Sequence, residues 1–97
     1  MIKKQDAVEG KVVVTFLFDA TGHELPICIA GDFTGWDERP EMLEPLDGDY
    51  VAVSVALPMG GSYEFRYRDA DGRWFNDDQA DDYKSNIWGG VNGVVRT

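Results

Sequence analysis

The chain has 97 residues, of which 9 are basic and 18 acidic, giving a formal net charge of -9. That length allows one domain and leaves no room for a catalytic barrel or a second lobe. A 43% hydrophobic content with 12% aromatic residues supports a packed core, while the acidic balance argues against nucleic acid or an anionic membrane surface, both of which demand clustered Lys and Arg.

In chain order, residues 1–10 are polar and read as a lead-in, with the sandwich expected over 11–97. Lys11 to Asp19 is rich in β-branched and aromatic residues and predicts a strand, ended by the turn Ala20-Thr21-Gly22-His23-Glu24. His23, the only histidine, is expected as a solvated turn residue. Pro26 to Ala30 is a second apolar run, stopped at Gly31. Asp32 to Pro45 mixes Gly, Pro and charges and reads as a loop. Tyr50 to Leu57 predicts a third strand, ended by Pro58-Met59-Gly60-Gly61.

Ser62 to Arg68 alternates with period two: Tyr63, Phe65 and Tyr67 fall on one face, Glu64, Arg66 and Arg68 on the other. Asp69-Ala70-Asp71-Gly72 is a hairpin turn, because Asp-Gly supplies the positive φ that tight hairpins need. Arg73-Trp74-Phe75 opens the next strand, Asn76 to Asn86 reads as a second long loop, and Val91 to Arg96 as a closing strand. Helical periodicity is absent. Short strands separated by turn signals predict an all-β fold, a β-sandwich.

Cys28 is the only cysteine, which excludes an internal disulfide and a multi-cysteine zinc site, and fits a reducing cytoplasm. The start Met1-Ile2-Lys3-Lys4 has no apolar run behind it, so no signal peptide is expected. Ser54, Ser62 and Ser85 lie outside any nucleophile elbow. The Asp69–Gly72 turn has two alternating acids of a calcium loop but lacks the third acid and the terminal Glu. Asp77, Asp78, Asp81 and Asp82 read as a solvated acidic loop rather than a catalytic pair. No catalytic residue, metal or cofactor is expected.

The tryptophans are more informative. Trp36, Trp74 and Trp88 all lie beside turns rather than within long apolar strands. Buried, they would plug or cap the sandwich. Exposed, they suit a sugar surface, since a flat indole covers the apolar C–H face of a pyranose while amides and guanidinium groups pair its hydroxyls. Arg66, Arg68, Asn76, Asn86 and Asn92 are available for that pairing.

Gly31-Asp32-Phe33-Thr34-Gly35-Trp36 resembles the Gly-x-Phe-Asn-x-Trp motif of the family-48 carbohydrate-binding modules. That family includes the glycogen-binding domain of the AMP-activated protein kinase β subunit and the early-set domain that precedes the barrel in isoamylases and glycogen branching enzymes. Leu57-Pro58 with Gly60 or Gly61, Tyr63-Glu64-Phe65-Arg66-Tyr67 and Asp71-Gly72-Arg73-Trp74 are similar to its following run, and Asn86 to Val95 to its closing segment. The resemblance spans about residues 11–96.

It implies an immunoglobulin-like, early-set sandwich that binds α-1,4-linked glucan without cleaving it. By the same resemblance Trp36 and Trp74 would stack on glucose units, and Arg66 and Asn92 would bond hydroxyls. Trp88 would add apolar surface. Thr34 stands where the family has Asn, a change expected to act on loop geometry, and the turn before Trp74 is one residue longer than in the kinase-type pattern. The partners implied are an α-glucan and, in a second reading, a glucan-active enzyme or regulatory protein on which the sandwich docks. The chain is expected either as a free-standing module or as a piece of a larger protein.

Overall fold

The computed structural model describes residues 1–6 and 9–97. Among the described residues, ten strands form two antiparallel sheets: β1 (Ile2–Asp6), β2 (Lys11–Asp19), β3 (Cys28–Gly31), β4 (Glu41–Met42), β5 (Glu44–Pro45), β6 (Tyr50–Pro58), β7 (Ser62–Arg68), β8 (Trp74–Phe75), β9 (Asp82–Ser85) and β10 (Val91–Arg96). One sheet runs β1-β2-β6-β5, the other β4-β3-β7-β10-β9, with β8 paired to the end of β7. The expected all-β sandwich is what the chain forms. Among the described residues no helix is long and apolar enough to cross a membrane.

The core follows from the strand period. In β2 the inward set Val12, Val14 and Phe16 is buried; in β7 it is Phe65 and Tyr67, backed by Ile27, Ile29, Val51, Leu57 and Val95. The aromatic rings bind the sheets together: Phe16 meets Phe65 at 5.0 Å, and Phe18 meets Tyr67 at 4.5 Å, tilted geometries that suit the ring quadrupoles. The β3–β7 ladder is equally tight. A Cβ on Gly31 would lie 2.5 Å from the Glu64 carbonyl oxygen and 2.9 Å from Phe65 Cβ, so only glycine fits there.

Several expectations change. Residues 2–6, within the expected polar lead-in, form an edge strand whose Ile2 lies opposite Phe16. The two long loops contain strands: β4 and β5 within 32–45, β9 within 76–86. His23 is half-buried, stacked on Phe75 at 4.0 Å with its Nδ1 3.6 Å from Asp69 Oδ2. Nor is the acidic loop simply solvated. Asp77 is buried and accepts the Tyr67 hydroxyl proton at 2.8 Å; burial and that nearby carboxylate push the phenol well above its usual range. Asp81 pairs with Lys4 at 2.6 Å and Asp82 with Arg96 at 2.6 Å.

Asp69 builds the hairpin turn. Its buried carboxylate accepts the backbone N–H of Asp71 and of Arg73, both at 3.0 Å. Burial pushes this carboxyl up, but the Arg73 and Asp71 N–H groups and His23 outweigh it and hold it below the usual carboxylate range. Asp81 is likewise lowered: burial opposes, and Lys4 with the Arg96 N–H prevails.

Two outcomes follow. Phe65→Ala is expected to cost about 3–5 kcal/mol, read by chemical denaturation. For acid, the lowered carboxyls are ionised in the fold at a pH where the unfolded chain, with Asp near pKa ~3.9, has begun to bind protons. Their stabilisation is therefore complete above that value and lost as pH falls through the lower folded-state values. The melting temperature is expected to drop as pH is taken from about 6 to about 3, and Asp81→Asn should flatten that drop.

Candidate functional site

Opposite the core, the outer face of the larger sheet carries the other half of the β7 alternation: Glu64, Arg66 and Arg68. Register places Ala30 beside Arg66 and Cys28 beside Arg68, small side chains that leave the arginines room to lie along the sheet. On the far side Asn92 of β10 lies opposite Lys84 of β9. Trp74 of β8 lies opposite Arg68 and so shares this face.

Two loops raise walls on it. The first, Gly31–Asp37, is fixed by side-chain-to-backbone hydrogen bonds. Thr34 is buried; its hydroxyl accepts the Gly31 N–H at 3.0 Å and has the carbonyls of Gly31 and Trp36 within donor reach, at 3.1 and 2.9 Å. Thr34 thus acts on loop geometry. Asp32 grips both sides: Oδ2 accepts the Glu64 N–H of β7 at 2.8 Å, and Oδ1 accepts the Trp36 indole N–H at 3.2 Å. The loop also holds Trp36 at φ 58° directly after Gly35 at φ 66°. A bulky residue in the left-handed region is strained, and such strain clusters at functional sites.

The second loop, Asn86–Gly90, is wound on one amide. Asn86 Oδ1 accepts the N–H of Trp88 at 2.9 Å and of Gly90 at 3.0 Å, and the Asn86 N–H donates to the Gly90 carbonyl at 3.0 Å. This presents Ile87 and Trp88 outward, 89% and 85% exposed. Its foot is tied to the floor, since Asn86 Nδ2 donates to Asn92 Oδ1 at 3.1 Å.

Between these walls lies an open cleft of about 720 Å³. Trp36, Trp74, Arg66, Trp88 and Asn92 all line it, so the structure brings these five predicted residues together, while Arg68 and Asn76, also offered for hydroxyl pairing, do not line it. They differ in availability. Trp36 and Trp74 are half-buried and Trp88 is exposed. Asn92 is buried in the floor, its Nδ2 donating to Glu64 Oε1 at 3.2 Å while its oxygen accepts from Asn86. One amide hydrogen and one lone pair remain to it. Arg66 lies over the Trp74 ring at 6.0 Å, so the longer turn does not separate them, and its buried Nε has no hydrogen-bond partner among the described residues.

The cleft also contains Asn86, offered for hydroxyl pairing, and residues the sequence reading did not single out for it: Asp32, Asp37, Glu64, Lys84, Ser85 and Ile87. Glu64 was legible as an outer-face neighbour of Arg66 in the alternation. Asn86 acts through the backbone of its own loop, and Asp32 through the Glu64 N–H and the Trp36 indole, roles that no periodicity reports.

No protein-family model matches the chain, and no curated protein matches it in sequence. Among solved structures it is similar to part of a candidate alpha amylase from Salmonella typhimurium, with a TM-score of 0.65 and 19% identity over 93% of this chain. The chain spans only 14% of that protein's length. At this identity the likeness concerns the fold: a small β-domain that also occurs within an amylase-like chain.

The strained φ of Trp36 can be separated from its side chain. Trp36→Gly is expected to be more stable than Trp36→Ala by about 1 kcal/mol, because glycine takes a positive φ without cost. Parallel urea denaturation of the two variants checks this.

Proposed function

We propose that this domain binds α-1,4-linked glucan, such as glycogen, starch or maltodextrin, without cleaving it. The observation that carries the reading is the convergence of Trp36, Trp74 and Trp88 on one open cleft with Arg66 between its walls. Aromatic faces beside a guanidinium group match a pyranose, which offers an apolar face and a rim of hydroxyls. The strained backbone of Trp36 and the exposure of Trp88 add support, as neither serves the core. So does the resemblance of the tryptophan motifs to family-48 carbohydrate-binding modules. The fold shared with a segment of an amylase-like chain suits an accessory domain that accompanies a glucan-active enzyme.

In this reading Trp36 and Trp74 stack on sugar rings, Arg66 donates to hydroxyls, and Trp88 extends the apolar surface. Asn92 supports the floor and offers its remaining amide hydrogen. Each stacked aromatic contributes about 0.5–1.5 kcal/mol beyond area burial, which puts the Kd for a maltooligosaccharide between about a micromolar and a millimolar.

Maltoheptaose titration followed by tryptophan fluorescence tests this directly. A saturable change is expected, and Trp36→Ala or Trp74→Ala should weaken binding by about tenfold or more while unfolding stays cooperative. An unchanged spectrum at millimolar sugar overturns the reading. A stoichiometric protein partner bound through Ile87 and Trp88, with no response to glucan, would establish the docking role instead.

A further inference from the structure

Arg68 bridges the first wall of the cleft and the Trp74 ring without itself lining the cleft. Its Nη1 donates to Asp37 Oδ1 at 3.1 Å, and Asp37 directly follows Trp36 in the first loop. Its guanidinium carbon lies over the Trp74 ring, 5.0 Å from the centroid, closer than that of Arg66 at 6.0 Å. Arg68 and Trp74 are also directly opposed in the β7–β8 pair, where cross-strand side chains meet. The first loop is therefore pinned to β7 on both sides of Trp36: by Asp32 at Glu64, and by Asp37 at Arg68.

We infer that Asp37 and Arg68 form a strut that fixes the spacing and tilt of the Trp36 and Trp74 platforms, with Arg68 as a positioning residue for the cleft. The inference rests on the glucan reading for its binding consequence, though not for its geometry. Two rings stack on one oligosaccharide only when both lie at the separation and angle its sugars impose, and small misplacements of a binding constellation lose affinity. Arg68 couples that separation to an ion pair on one side and a cation–π contact on the other.

The ion pair is solvated: the Arg68 side chain is 33% exposed and that of Asp37 70%. Pairs of this kind add little to folding stability and are screened by salt. An uncharged oligosaccharide brings no salt dependence of its own. Binding of a neutral ligand that weakens with ionic strength, and loses that response when Arg68 or Asp37 is neutralised, is therefore the signature of the strut, which separates it from the Glu64–Lys84 pair in the same cleft.

The test is maltoheptaose binding by the full chain at low and high sodium chloride, in wild type, Arg68→Gln, Asp37→Asn and Arg68→Lys. Expected are weakening of wild-type binding by salt, and an affinity about fivefold lower in Arg68→Gln and Asp37→Asn at low salt with the salt response gone. Arg68→Lys should recover part of the affinity, since lysine keeps the charge but not the planar fork. Melting temperatures should stay close to wild type. The Trp74 indole N–H peak in a nitrogen–proton correlation spectrum gives a readout free of glucan, and should move in Arg68→Gln and with salt. Variants that bind like wild type with the same salt response overturn the strut. If wild type binds no maltoheptaose, the glucan reading fails, and an indole peak unmoved by Arg68→Gln overturns the strut separately.

Discussion

In an extended strand successive side chains leave on opposite faces, and in β7 that constraint ties the core to the cleft. Phe65 and Tyr67 point between the sheets and are buried, while Glu64, Arg66 and Arg68 stand on the outer face. A slip of one residue in the register of β7 would put three charges into the core and the rings of Tyr63, Phe65 and Tyr67 into water. The register is therefore enforced by hydrophobic burial, and the outer-face arrangement follows from it. Gly31 sharpens the constraint: its missing Cβ lets β3 approach the Glu64 carbonyl, which brings the Trp36 loop down onto the same strand.

What the sheet leaves undetermined, single polar side chains settle. Asp32 and Thr34 shape the first loop, Asp69 the hairpin that delivers Trp74, and Asn86 the loop that carries Trp88. Thr34, Asp69 and Asn86 satisfy backbone N–H groups that a tight turn would otherwise strand, while Asp32 ties its loop to the Glu64 N–H of β7 and to the Trp36 indole. In the first loop Phe33 also anchors on Phe16 of the core, and otherwise the geometry of these loops rests on a few hydrogen bonds. The strain at Trp36 persists because Thr34, Asp32 and the Gly31 carbonyl together over-determine its position.

This division explains what could be read from the amino-acid sequence. The strands β2, β6, β7 and β10 carry their own period, and the expected runs over 11–19, 50–57, 62–68 and 91–96 coincide with them almost to the residue. The strands β4, β5 and β9 do not. Glu41–Met42, Glu44–Pro45 and Asp82–Ser85 are exposed at every position and exist because a neighbour, β3, β6 or β10, offers free ladder groups. Such pairing is non-local and leaves no alternation to detect. The site was legible to the extent that tryptophans near turns were singled out. The roles of Asp32, Asp37 and Asn86 were not, because a carboxylate or amide that organises a loop looks the same in sequence as one that is merely solvated. For the same reason Asp77 and Asp69, buried in the fold, read as surface acids.

The placement of charge is the remaining constraint on what the cleft can accept. In a chain of net charge -9 an outer face chosen at random would be acidic. Here Asp32, Asp37 and Glu64 stand against Arg66, Lys84 and, beside Trp74, Arg68, three acids and three bases. Asp37 with Arg68 and Glu64 with Lys84 lie within ion-pair distance, and Asp32 is occupied by two N–H donors. The excess acid lies elsewhere on the molecule, so the cleft has little net field to draw an ion in from solution. Selection in such a site falls to shape, dispersion and hydroxyl pairing. Those are the forces available to a neutral, ring-shaped ligand, and for them the relative placement of the indole planes matters more than any single charge.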